Sequence, residues 1–121
     1  MTPYEYMDLS LGSGAAAMTM VTFGFTIMSG YLLVAYTIGA KLARRQVYAI
    51  TFIYTISMIN NIASHLSNVV GAIEYGKLAG EISAEAAQVW TIGTVSTVLV
   101  VRVSIFIVSL WFMWDVRRNK A

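Results

Sequence analysis

The chain alternates long oily runs with short polar breaks. Residues 15–40 and 46–73 contain no Asp, Glu, Lys or Arg, and residues 86–114 contain only Arg102. Each run exceeds the roughly 20 residues that a helix needs to cross a hydrocarbon core about 30 Å thick. The pattern predicts three transmembrane helices, near residues 14–40, 46–72 and 86–115, within a single domain spanning residues 1–121. The expected fold class is all-α, an integral membrane three-helix bundle. The first run has no preceding Lys or Arg and is too long for the apolar core of a secretory signal, so it reads as a span.

Composition sharpens this picture. Only 12% of residues are charged, where a soluble domain carries about 25%. A water-soluble bundle would have almost no polar surface to cover three apolar helices. The net charge of +2 and pI near 9.0 do not point to nucleic acid, because the basic residues flank the oily runs. Lys41, Arg44 and Arg45 follow the first run; Arg117, Arg118 and Lys120 follow the third. Basic residues at span ends stay in the cytoplasm, which predicts an outside N-terminus and a cytoplasmic C-terminus in a plasma (inner) membrane. Aromatic residues agree: Tyr36, Tyr48, Trp111 and Trp114 fall near the inner boundary, and Tyr4, Tyr6, Tyr75 and Trp90 near the outer one.

Two local signals concern the outer side. The opening residues suit a short interfacial helix, capped by Thr2, with Pro3 at its first position and Glu5 completing a capping box. Gly12 and Gly14 would let the chain bend into the first span. Gly76 and Gly80 mark a loop before the third span, where Ser83 is the expected N-cap.

The stretch "SMINNIASHLSN", residues 57–68, places amides, hydroxyls and the chain's one His in an oily segment. On a helix Ser57, Asn61, Ser64 or His65, and Asn68 share a face, which Tyr54 extends inward, with Asn60 off to one side. Counting about 1.5 Å per residue from the inner boundary puts Arg102 level with Asn60 and Asn61, near mid-membrane. No span holds an acidic residue to pair with Arg102, and a guanidinium cannot shed its proton. Hydrocarbon cannot satisfy such groups, so they must face protein or water.

Three uses compete for this seam. Polar side chains act as glue between membrane helices at about 0.6 kcal/mol each. A hydrated cavity or pore could hold an anion or pass protons. A cofactor is the remotest: haem would need His65 from two copies across an axis, and quinone contact would use His65 and Tyr54. No metal site is expected from one His and no Cys. Gly24, Gly30, Ala35 and Gly39 on the first span, and Gly93 and Thr97 on the third, are the candidate close-packing positions. The Met residues do not gather at one depth and read as adaptable packing. Enzyme chemistry is not expected: Ser64 and His65 point about 100° apart on a helix, and no carboxylate orients either.

The expected function is therefore non-enzymatic. The leading expectation is a homo-oligomeric membrane protein whose polar core of Arg102, His65, Asn61, Asn60, Asn68, Ser57, Ser64 and Tyr54 binds or conducts an ion, a proton or a small anion. The alternative is an accessory subunit that docks by this seam onto a larger respiratory, photosynthetic or transport complex.

Overall fold

A computed structural model describes residues 2–120, and for Lys120 the backbone alone. That side chain, counted above in the basic flank, lies outside the described residues. Three long helices account for almost all of the chain: α1 is Pro3–Ile38, α2 is Arg44–Leu78 and α3 is Ala84–Lys120. A short 3-10 turn, Gly39–Lys41, joins the first two.

α1 begins as its sequence dictates. Thr2 Oγ1 accepts from the Glu5 amide at 3.2 Å, Glu5 Oε2 accepts from the Thr2 amide at 2.6 Å, and Pro3 occupies the first turn. The expected bend is absent, however. Gly12 and Gly14 are helical, and the interfacial segment is the first part of one 36-residue helix. Two helical glycines disfavour the helix by about 1 kcal/mol each, and contacts with α2 outweigh that. Ser10 Oγ donates to the Ala72 carbonyl at 2.6 Å, and Tyr6 stacks on Tyr75 with centroids 6.5 Å apart. The N-terminal segment thus packs along α2 and continues its span.

The α2–α3 connection is also tighter than expected. Gly76 lies inside α2, buried beside Ser10. The turn is confined to residues 79–83, where Gly80 adopts φ +80°, a conformation that an L side chain resists. Ser83 Oγ then accepts from the Ala86 amide at 3.1 Å, as a helix N-cap should.

The helices are 36, 35 and 37 residues long, about 52–56 Å each at ~1.5 Å per residue. Each is long and apolar enough to cross a membrane. Large apolar side chains such as Phe23, Leu33, Phe52, Ile53, Val100 and Val108 stand exposed around the bundle, a surface suited to lipid and not to water. These features suit a multi-pass membrane protein.

Buried positions recur at three- and four-residue steps: Tyr54, Met58, Asn61 and His65 on α2, and Ser109, Met113 and Val116 on α3. That spacing is the seam of bundle packing. α1 and α2 are the most extensively paired helices, and α3 lies against both. The apolar core fills the half toward the α1–α2 turn and consists of Tyr31, Ala35, Val47, Tyr54, Met58 and Met113. At that turn Arg117 Nη1 donates to the carbonyls of Gly39 and Leu42, each at 2.8 Å. A basic residue assigned to topology therefore also caps the end of α1.

Candidate functional site

The three helices bring the middles of their lengths together. Asn61 is the central residue of α2 and Arg102 the central residue of α3. On α1 the matching position is Gly24, and its missing side chain makes the arrangement possible. A Cβ there would stand 2.6 Å from both Nη1 and Nη2 of Arg102 and 2.7 Å from Asn61 Oδ1. The guanidinium lies in the space that any other residue would fill.

Asn61 links all three helices. Its Oδ1 accepts from Arg102 Nη2, and its Nδ2 donates to the Met20 carbonyl of α1 at 3.0 Å. The assignment is chemically forced, because a guanidinium only donates and a carbonyl only accepts. Helical side chains lean toward the preceding turn, so a residue at position 24 would cover the Met20 carbonyl. Gly24 leaves it open for a second hydrogen bond.

All three polar members are buried: Asn61 is 5% exposed, His65 7% and Arg102 7%. Among the described residues, Arg102 Nε and His65 Nδ1 have no hydrogen-bond partner. Both residues line a cavity of about 230 Å³ between the helices. Its accessible surface is wholly apolar, with Val21, Phe25 and Met28 from α1 and Val98, Val101 and Ile105 from α3, and the unpartnered Arg102 and His65 nitrogens lie behind that surface. Residues 9–73 and 86–114 hold no Asp or Glu, so the central cation has a neutral amide as its partner.

The remaining candidates separate into groups. Tyr54 sits nearer the α1–α2 turn, stacked on Tyr31 at 4.0 Å and 6°, with its hydroxyl 2.7 Å from Ser109 Oγ. Ser57 and Ser64 are half-buried beside the seam. Asn68 donates to the Ser64 carbonyl on its own helix at 2.9 Å and is engaged locally. Asn60 is exposed and turned away from the cluster. Of the small residues, Gly24, Ala35 and Gly39 are buried, whereas Gly30, Gly93 and Thr97 are exposed. A Cβ added at Gly30 or Gly93 would meet nothing within 4 Å.

Tyr31, Ser109 and the Met20 carbonyl were not among the sequence candidates. Tyr31 follows Gly24 by seven residues and precedes Ala35 by four, so helical spacing carried a signal for it. A backbone carbonyl carries no residue-type signal. His65 is enclosed by its own chain, so its imidazole does not face outward toward a second copy.

Chemically, the centre offers a permanent positive charge, two buried nitrogen atoms without partners and a small apolar chamber. An acceptor or an anion would reach those nitrogens only by displacing part of the apolar lining. Compared with known protein families, with curated proteins and with solved structures, the chain matches none.

Proposed function

We propose that this chain is a non-enzymatic integral membrane protein that binds a small anion at Arg102 within the bilayer, with its N-terminus outside and its C-terminus in the cytoplasm. One observation carries the reading. A buried guanidinium with an unpartnered Nε and the unpartnered Nδ1 of His65 lie just behind the apolar lining of a cavity of about 230 Å³, and residues 9–73 and 86–114 hold no carboxylate to neutralise the charge.

The energetics favour a missing negative charge. An Arg at the centre of a span costs about 2.5–3.5 kcal/mol on insertion scales. Its bond to Asn61 contributes about 1.5–3 kcal/mol, the range for hydrogen bonds to charged groups. That bond leaves the charge itself uncompensated, and an anion would compensate it. The cavity has room for a small anion with a few waters, since a water occupies about 30 Å³ in the liquid.

A purely structural role explains the tie between Asn61, Arg102 and Met20. It gives no reason for the chamber or for two partnerless nitrogen atoms. A pore running between copies is disfavoured, because Asn61, His65 and Arg102 are enclosed by a single chain.

Thermal unfolding in mild detergent tests the proposal, with chloride, nitrate or acetate titrated against gluconate at constant ionic strength. A ligand at 100 times its Kd stabilises by about 2.7 kcal/mol. The native chain should show a saturable rise in Tm with at least one small anion. The Asn61→Leu/Arg102→Leu double variant, which leaves no buried charge unpaired, should not respond. Equal responses from the two proteins would overturn the proposal.

A further inference from the structure

The outward face of α2 carries a second polar feature, independent of the central cavity. Asn60 lies one residue from the middle of α2 and is exposed. None of the hydrogen bonds among the described residues involves its carboxamide. Several exposed hydroxyls on the other helices behave differently. Thr22 and Thr26 on α1, and Thr97 and Ser104 on α3, each donate to the carbonyl four residues back. Such groups can face lipid without a partner from outside. The Asn60 amide, with two N–H donors and a carbonyl, makes no such bond and would stand unsatisfied in hydrocarbon.

Its neighbours form a pattern. Ile53, Ile56, Asn60, Ala63, Ser67 and Val70 are all exposed and follow alternating steps of three and four. Those steps have the spacing of a two-stranded coiled-coil seam, with Asn60 in the middle of the row and small residues over the next two turns. Small residues let backbones approach closely where no hydrophobic drive exists.

We propose that this face of α2 is a homodimer interface, in which the Asn60 side chains of two copies hydrogen-bond to each other across a two-fold axis normal to the membrane. The occupant follows from geometry and chemistry. Two copies of one chain insert in the same direction, so residue 60 of each lies at the same depth. A carboxamide both donates and accepts, so it is complementary to itself, as an isologous contact requires. A single Asn in such a seam also fixes the register of the pairing helices. The interface lies on the opposite side of α2 from Asn61 and His65, so dimerisation and anion binding use separate faces.

The chain has no cysteine, so oxidative cross-linking of single-cysteine variants in native membranes reads the interface directly. Ile56→Cys, Ala63→Cys and Ser67→Cys should give disulfide-linked dimers on treatment with a membrane-permeant copper oxidant, and Ile59→Cys, turned about 100° from Asn60, should not. In the Ala63→Cys background, Asn60→Leu should lower dimer yield by about 3- to 30-fold, the range spanned by interhelical hydrogen bonds in membranes. Asn60→Gln should restore most of it. Far-UV circular dichroism and the Tm of the monomer check that Asn60→Leu folds. Cross-linking that ignores the three–four register, that is unchanged by Asn60→Leu, or that joins this chain only to a different protein would overturn the proposal. So would the lack of any dimer at all three seam positions in folded protein.

Discussion

Alanine at position 24 would add one methyl group at the point where the three helices meet. In an unobstructed helix, Gly→Ala stabilises by about 0.8–1 kcal/mol through helix propensity. Here the new Cβ would stand 2.6 Å from both terminal guanidinium nitrogens and 2.7 Å from Asn61 Oδ1. Optimal carbon contacts lie at about 3.5–4.0 Å, so the guanidinium and the amide must retreat by roughly 1 Å. That retreat breaks or severely bends the Arg102–Asn61 hydrogen bond, and losing a charged hydrogen bond in a buried setting costs about 1.5–3 kcal/mol. The expected net effect is a destabilisation of about 0.5–2 kcal/mol. Gly30 supplies the control, because it is six residues away on the same helix and a Cβ there meets nothing within 4 Å. Gly30→Ala should be neutral or stabilising by up to about 1 kcal/mol. Equilibrium unfolding in mixed detergent micelles, followed by far-UV circular dichroism and tryptophan fluorescence, measures both. If Gly24→Ala proves as stable as Gly30→Ala, the guanidinium does not occupy the space over Gly24 and the account of the site fails.

Three further outcomes are expected. Asn61→Leu should destabilise by about 3–5 kcal/mol, because it strands a buried charge, whereas Asn61→Leu/Arg102→Leu should recover most of that loss; micelle unfolding of both variants measures the difference. Arg117→Leu should cost about 1–3 kcal/mol by freeing two carbonyls, while Arg118→Leu, whose side chain is 74% exposed, should change stability by less than about 0.5 kcal/mol. For orientation, a membrane-impermeant maleimide applied to intact cells should label Lys77→Cys but not Arg118→Cys, and the reverse pattern would invert the proposed topology.

The architecture was legible because charge-free runs of this length have few other uses. The three long helices, the Thr2 and Ser83 caps and the level at which Asn61 meets Arg102 all follow from spacing. What escaped depends on which neighbour fills a given space. Gly12 and Gly14 suggested a bend, but whether a glycine bends a helix depends on what packs beside it, and here Ser10 and Tyr6 engage α2. Gly24 and Gly30 look alike in sequence, yet one cradles a guanidinium and the other is exposed. Asn60 and Asn61 share a depth, but adjacent residues on a helix diverge by about 100°. Periodicity separates their directions, with Asn61 on the polar stripe and Asn60 to one side, and the structure buries the first and exposes the second.

The clasp at the α1–α2 turn bears on the order in which the protein is made. Gly39 and Arg117 are 78 positions apart in the chain. During synthesis the α1–α2 hairpin is made with the carbonyls of Gly39 and Leu42 still unclaimed by Arg117. Only when α3 has left the ribosome does the Arg117 guanidinium arrive to fasten them. The nascent hairpin is thus a provisional structure, and the arrival of α3 locks it.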